Sequence, residues 1–280
     1  TIREMRAFIQ RYERDAAAGE LVVQAYWRIS QARKEMRQTR DYNRSLQDVV
    51  TAFGRTGQQP RSIAAEYAAN AQFLLTNETM SEFESFAITP GRPATLEAYV
   101  NTVRQQITAG GQTATRFAEG FNSVMTYQRP TWTVAAFVQQ GRVYEVLARA
   151  VLNPPFAMPA DLNRQLSRVS RDAREDIRIQ VQDRIQQVLD EMVRPIECLA
   201  VARYALASRA ARAGSLDNEW TQSAIDRLQA YGDERIAECV AQAQAADSTF
   251  QAYQPGEFAR APRGQHLQIE ADITPPALAR

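Results

Sequence analysis

The 280-residue sequence predicts an all-α fold: a right-handed solenoid of helical hairpins followed by an extended C-terminal tail. Three observations point there. Apolar residues recur at steps of three and four through most of residues 3–246, the spacing that lines one face of a helix. Short runs containing Gly and Pro separate these stretches, so successive helices fold back on one another. Alternation of period two is confined to "HLQIEADI" (266–273), where Leu267, Ile269, Ala271 and Ile273 share a face.

Residues 3–15 form a charged amphipathic stretch with Met5, Phe8, Ile9 and Tyr12 at helical spacing. Residues 19–37 carry Leu21, Ala25, Ile29 and Ala32 as one stripe. A third helix opens at Asp41 and Tyr42, passes Leu46, Val49, Val50 and Phe53, and stops at Gly54, since glycine suits a helix C-terminus. In "GRTGQQPRS" (54–62), Pro60 bars continuation and Ser62 offers an N-cap to a fourth helix over 63–75. A short fifth helix covers 79–87. "ITPGRPAT" (88–95) is the strongest loop signal and a candidate sub-boundary. The helix after it passes Leu96, Tyr99, Val103 and Ile107, with Gly110 and Gly111 as an expected interruption before Met125. Pro130 opens the next helix and "NPPFAMP" (153–159) closes it. Residues 161–193 read as one long helix ended by Pro195, with Val169, Ala173, Ile177, Val181, Ile185, Val188, Leu189 and Met192 in register. Helices over 196–213, 218–231 and about 234–246 complete the solenoid, which covers 1–253. The tail, 254–280, contains Pro255, Pro262, Pro275 and Pro276.

Composition removes several function classes. Basic and acidic residues number 33 and 32, which argues against a nucleic-acid binder with its basic face. Arg203, Arg209 and Arg212 cluster on one predicted helix and read as solvated charge balanced by nearby acids. No run of about 18 apolar residues occurs, so this portion has no transmembrane segment. The chain opens Thr1-Ile2-Arg3, which reads as a piece of a longer or processed protein. One histidine, His266 in the tail, and two cysteines make a poor metal site, and neither metal nor cofactor is expected. Nucleophile-elbow, zinc-protease, Walker and dinucleotide-binding patterns are missing from the sequence. The carboxylate pairs Glu175-Asp176 and Asp190-Glu191 sit among arginines at spacings suited to i,i+4 links on a solvated face. No catalytic residues are therefore expected. Cys198 and Cys239 leave two alternatives open, a structural disulfide or two separate buried thiols. A break at Gly232-Asp233 would set Cys239 beside the helix holding Cys198, and an oxidising compartment would then join them.

One stretch carries a more specific signal. "FVQQGRVY" (137–144) reads Phe137-x2-Gln140-Gly141-x2-Tyr144. It resembles the first-helix signature of tetratricopeptide repeats, W-x2-L-G-x2-Y, with glutamine in the leucine position. A small residue there lets two helices approach closely, which offsets the roughly 1 kcal/mol propensity cost of glycine. Tyr26-x2-Ile29-Ser30-x2-Arg33 and Tyr67-x2-Asn70-Ala71-x2-Leu74 are weaker copies. The second-helix pattern A-x3-F-x2-A appears as Ser45-x3-Val49-x2-Ala52 and Ala224-x3-Leu228-x2-Tyr231. The lead aromatics Tyr26, Tyr67 and Phe137 are irregularly spaced where regular copies would recur about every 34 residues, so the repeats are divergent and carry insertions. "SIAAEYAANAQFLL", "RPTWTVAAFVQQGRVYEVLARAVLNPPF" and "DNEWTQSAIDRLQAY" further resemble the C-terminal part of large tetratricopeptide proteins from the cell envelope of myxobacteria and their predatory or gliding relatives. That resemblance implies a periplasmic or envelope location and a protein-binding role, and it supplies no catalytic residues.

Stacked hairpins present a concave face that binds a peptide or a partner helix, so the expected function is a non-catalytic protein-interaction scaffold. The alternative is a structural subunit of a ring, tube or filament, a homo-oligomer in which the tail links neighbours. In either case Leu267, Ile269 and Ile273 are the expected docking anchors of the tail. Trp132, Trp220, Tyr144 and Tyr204 are expected in the core, and Trp27 is the aromatic expected to face outward.

Overall fold

The computed structural model describes residues 1–156 and 158–259; His266, Leu267, Ile269 and Ile273, with the whole 266–273 alternation, lie outside the described residues. Among the described residues the chain is all-helical: α1 (Ile2–Tyr12), α2 (Gly19–Glu35), α3 (Thr39–Arg55), α4 (Ile63–Ser81), α5 (Leu96–Met125), α6 (Pro130–Leu152), α7 (Ala160–Leu166), α8 (Arg171–Ala213), α9 (Glu219–Tyr231) and α10 (Asp233–Ala246). Local chemistry places the starts. Ser62 accepts from the Ala65 amide, Thr95 from Ala98, and Asn218 from Trp220 and Thr221, satisfying amides that have no partner within the helix. Pro130 occupies the first turn of α6, where a missing N–H costs nothing. Gly232, at φ 78°, turns the chain between α9 and α10 through a conformation that disfavours side chains.

Helices pack on partners close to them in the chain. α2 lies against α1, α3 and α4; α4 continues to α5 and α6; α6 packs on α5, α8 and α9; and α10 closes on α8 and α9. Two apolar clusters meet at α4, beside a third that joins Ile9, Val22, Ala25 and Ile29 of α1 and α2. Val23, Leu46, Val49, Ala52, Ala64 and Ala71 form the smaller, N-terminal one. The larger surrounds α5, α6 and α8 and includes Phe121, Val134, Val143, Leu147, Val201 and Tyr204. α4 serves both, with Ala64 and Ala71 in the first and Phe73 and Met80 in the second. Its remaining side packs Ala65, Ala68 and Ala69 near Tyr127. A helix buried on so many sides must be apolar almost all round, which is why "IAAEYAANAQFLL" is rich in alanine.

Five local expectations need correction. First, Gly110 and Gly111 do not interrupt α5. Gly110 is buried, and a Cβ there would stand 2.6 Å from the Phe86 ring and 2.8 Å from Cδ1 of Leu147. The glycine makes room for α6 without breaking the helix. Second, residues 161–193 are not one helix. The chain turns at 167–170, and Ser170 caps a new helix through Ala173. Third, Pro195 does not end the helix that contains it: α8 continues past it to Ala213 and is 43 residues in all, about 64 Å. Pro195, Glu191 and Arg194 are exposed, so the carbonyl that proline leaves unbonded is on the solvent side. Ile185, Leu189, Val193, Ile196 and Ala200 remain buried on the other face, and their packing holds the helix together across the proline. Fourth, α4 extends to Ser81, leaving only a single 3-10 turn, Glu82–Ser85, of the expected fifth helix. Last, α3 passes Gly54 and ends at Arg55. The chain then reverses at Gly57, φ 66°, with the Gln58 amide donating to the Phe53 carbonyl.

Candidate functional site

Gly141 lies at the closest helix approach around the repeat signature. A Cβ added there would meet Cε1, Cζ and Cδ1 of Tyr204 at 2.6, 2.7 and 2.9 Å. Tyr204 belongs to α8, so the partner of the small residue arrives only after α7 and most of α8. Tyr144, one turn on, is buried, and Phe137, one turn before, is half-buried at the edge of the larger cluster. Ala224 and Leu228 from α9 are fully buried in that same cluster. Cys198 in α8 and Cys239 in α10 are both buried and joined by a disulfide, with Cα atoms 4.5 Å apart. The adjoining polar residues reinforce this junction, since Arg235 of α10 pairs with Glu197 of α8 at 2.6 Å.

The weaker copies show the same pattern at their small positions. Ser30, Ala71, Ser45 and Ala52 are all essentially inaccessible to solvent. Trp27 is a correction: it is half-buried beside Tyr67, ring centres 6.1 Å apart, and packs on the N-terminal cluster because α4 covers that side of α2. Trp132 is also half-buried, and its indole N–H donates to Glu66 at 2.7 Å. Arg129 holds the other oxygen of the same carboxylate at 2.5 Å, tying the start of α6 to α4.

Beneath Gly141 lies a polar knot. Glu145 accepts from the Tyr231 hydroxyl at 3.4 Å and pairs with Arg227 at 3.3 Å. Burial pushes the Tyr204 phenol well above its ordinary range, and the charge and hydrogen bond of Glu145 add to the shift. Burial followed by the Glu145 charge does the same to Tyr231. Both phenols stay neutral over any physiological pH. The arrangement thus joins α6, α8 and α9.

The most elaborate polar cluster was not legible as one from the sequence. Residues 247–258, which we call the strap, fold back over α8, and Arg209 pins them there. Its guanidinium donates to Glu257 Oε1 at 2.7 Å and Oε2 at 3.1 Å, and to the Gln251 and Ala252 carbonyls at 2.9 and 3.2 Å. The two ionic side chains are only 12% and 9% exposed. Burial alone would raise the Glu257 carboxyl, but the hydrogen bonds and charge of Arg209 outweigh it and hold the group below the usual carboxylate range. Phe250 and Phe258 lie 5.3 and 5.7 Å from the guanidinium carbon, within cation–π reach. Arg212 donates to the Glu257 carbonyl, and the Tyr253 hydroxyl donates to Asp233 at 2.7 Å. Of the arginines expected to be solvated, Arg209 is instead an anchor. The available signal was three aromatics and two acids in a short segment just past the last helix.

Among the described residues no group of three His, Cys, Asp or Glu side chains is placed to hold a metal ion, and no helix is long and apolar enough to cross a membrane. In comparison with known proteins, no protein-family model, no curated protein and no solved structure matches the chain.

Proposed function

We propose that the chain is a non-catalytic protein-interaction scaffold: a right-handed solenoid of divergent tetratricopeptide-like hairpins acting in a bacterial cell-envelope assembly. The observation that carries the reading is the shared fate of the small residues in the signature copies. Ser30, Ala71 and Gly141 are buried in their helices, and Gly141 sits directly under the Tyr204 ring. A sequence that repeatedly reserves small residues for helix contacts is built to stack, and stacked hairpins expose long continuous faces for partners. Packing between helices that are near neighbours in the chain supports the same reading. The buried Cys198–Cys239 disulfide supports an exported location, because such bonds persist in oxidising compartments.

The polar clusters described above spend their charges on joining helices, which fits a scaffold better than an enzyme. Capture from envelope extracts tests the proposal. The tagged chain should retain a defined protein at fixed stoichiometry and run alone as a monomer across concentrations. Concentration-dependent growth into larger species with no captured partner would instead favour the self-assembling subunit.

A further inference from the structure

The strap is itself a peptide laid in a groove, so its contacts report what that groove recognises. Arg209 reads a carboxylate and two main-chain carbonyls at once, and two aromatic rings flank its guanidinium. Arg212 takes a third carbonyl. Tyr253 stacks on Phe258, ring centres 5.9 Å apart, while its hydroxyl reaches Asp233. The anchors fall at Phe250, Tyr253, Glu257 and Phe258, giving the pattern aromatic-x2-aromatic-x3-Glu-aromatic. Main-chain hydrogen bonds with spaced side-chain anchors are how proteins hold extended peptides.

The strap does not fill the groove. Among the described residues an open cleft of about 620 Å³ remains beside it, walled by Phe137, Leu206, Ala210 and Ala213 as well as by the strap's own Phe250. We infer that this face of α6, α8 and α10 is a binding site for an acidic–aromatic peptide segment of a partner protein, and that the chain's own strap occupies it when the partner is absent. The inference deepens the scaffold reading and rests on it. A second copy of the chain is the less suitable occupant. Only residues 247–249 separate the end of α10 from Phe250, so the attached strap competes at high effective concentration with any incoming segment, and an identical strap brings no contact that the attached one lacks. A partner segment with the same anchors has the open apolar cleft in addition.

The test uses the full chain carrying Glu257→Ala and Phe258→Ala, which releases the strap, and a fluorescent synthetic peptide of residues 248–259 as the probe. Anisotropy should show saturable binding to this variant, weakened by salt and at least about tenfold tighter than to the wild-type chain, whose strap competes. Adding Arg209→Ala should abolish it. A released variant that keeps its helical circular dichroism yet binds no peptide up to about 1 mM overturns the inference, as does binding indifferent to Arg209. If the double substitution loses helical signal, Glu257→Gln alone carries the same comparison. Light scattering that shows a wild-type dimer dissolved by Glu257→Ala would assign the groove to a second copy, against the inference. A groove that takes no peptide leaves the scaffold reading standing, because partner capture is scored separately on the whole chain.

Discussion

Replacing Gly141 by alanine brings a methyl group to 2.6 Å from Cε1 of Tyr204, where 3.4–4 Å is ordinary contact. The ring must therefore retreat by about 1 Å. Little room exists, since Tyr204 is 1% exposed and its hydroxyl is engaged with Glu145. Overpacking of this kind costs about 1–3 kcal/mol, while the helix regains about 1 kcal/mol from losing glycine. The net expectation is a loss of about 1 kcal/mol, rising further for Gly141→Leu. Gly111→Ala is the built-in control, because nothing lies within 4 Å of a Cβ at that position. It should gain up to about 1 kcal/mol from propensity alone. Urea unfolding followed by circular dichroism reads both, and with a slope near 3 kcal/mol/M each change displaces the midpoint by about 0.3 M, in opposite directions. Equal stabilisation by the two substitutions would refute the claim that Gly141 is a close-packing point.

Three further outcomes follow from the same contacts. Mutating both Cys198 and Cys239 to serine opens a link across 41 residues and should cost about 2–4 kcal/mol, measured as a urea midpoint shift; an unchanged midpoint would mean the bond constrains nothing. Arg209→Ala should leave Glu257 buried without its partner and free the strap, seen as faster hydrogen exchange over 250–258 and a loss of about 2–3 kcal/mol of local protection, below the 3–5 kcal/mol of a fully buried pair. The Glu257 carboxyl is held below its unfolded value, so its stabilising contribution is complete above that value and fades as pH falls through the folded one. Strap protection in the wild type should accordingly decline in acid, below about pH 4.5, toward that of Glu257→Gln, whereas a constant difference between the two would contradict the sign.

Helix positions were readable because their signals are local. Ser62, Thr95, Pro130 and Asn218 each act on residues within one turn, and the structure uses them where the sequence puts them. The misread boundaries share a different cause. Gly110 suits its helix only because Phe86 and Leu147 crowd it, and Pro195 stays helical because the buried face of α8 runs past it. Propensity alone reports neither fact. Ser170 caps α8 through the Ala173 amide, a start signal that the reading of 161–193 as one helix did not use. The strap is the clearest case of information held at a distance, since Glu257 acquires its meaning from Arg209, 48 residues earlier. Gly141 occupies the middle ground: its spacing marked a close contact, but only the folded chain shows that Tyr204 fills it.

The scaffold proposal stands or falls on equilibrium binding between the purified chain and any protein that envelope extracts yield with it. Calorimetry should give saturable one-to-one binding that leaves both molecules chemically unchanged. Heat of mixing that never saturates, or turnover of the captured molecule by the chain, would contradict it.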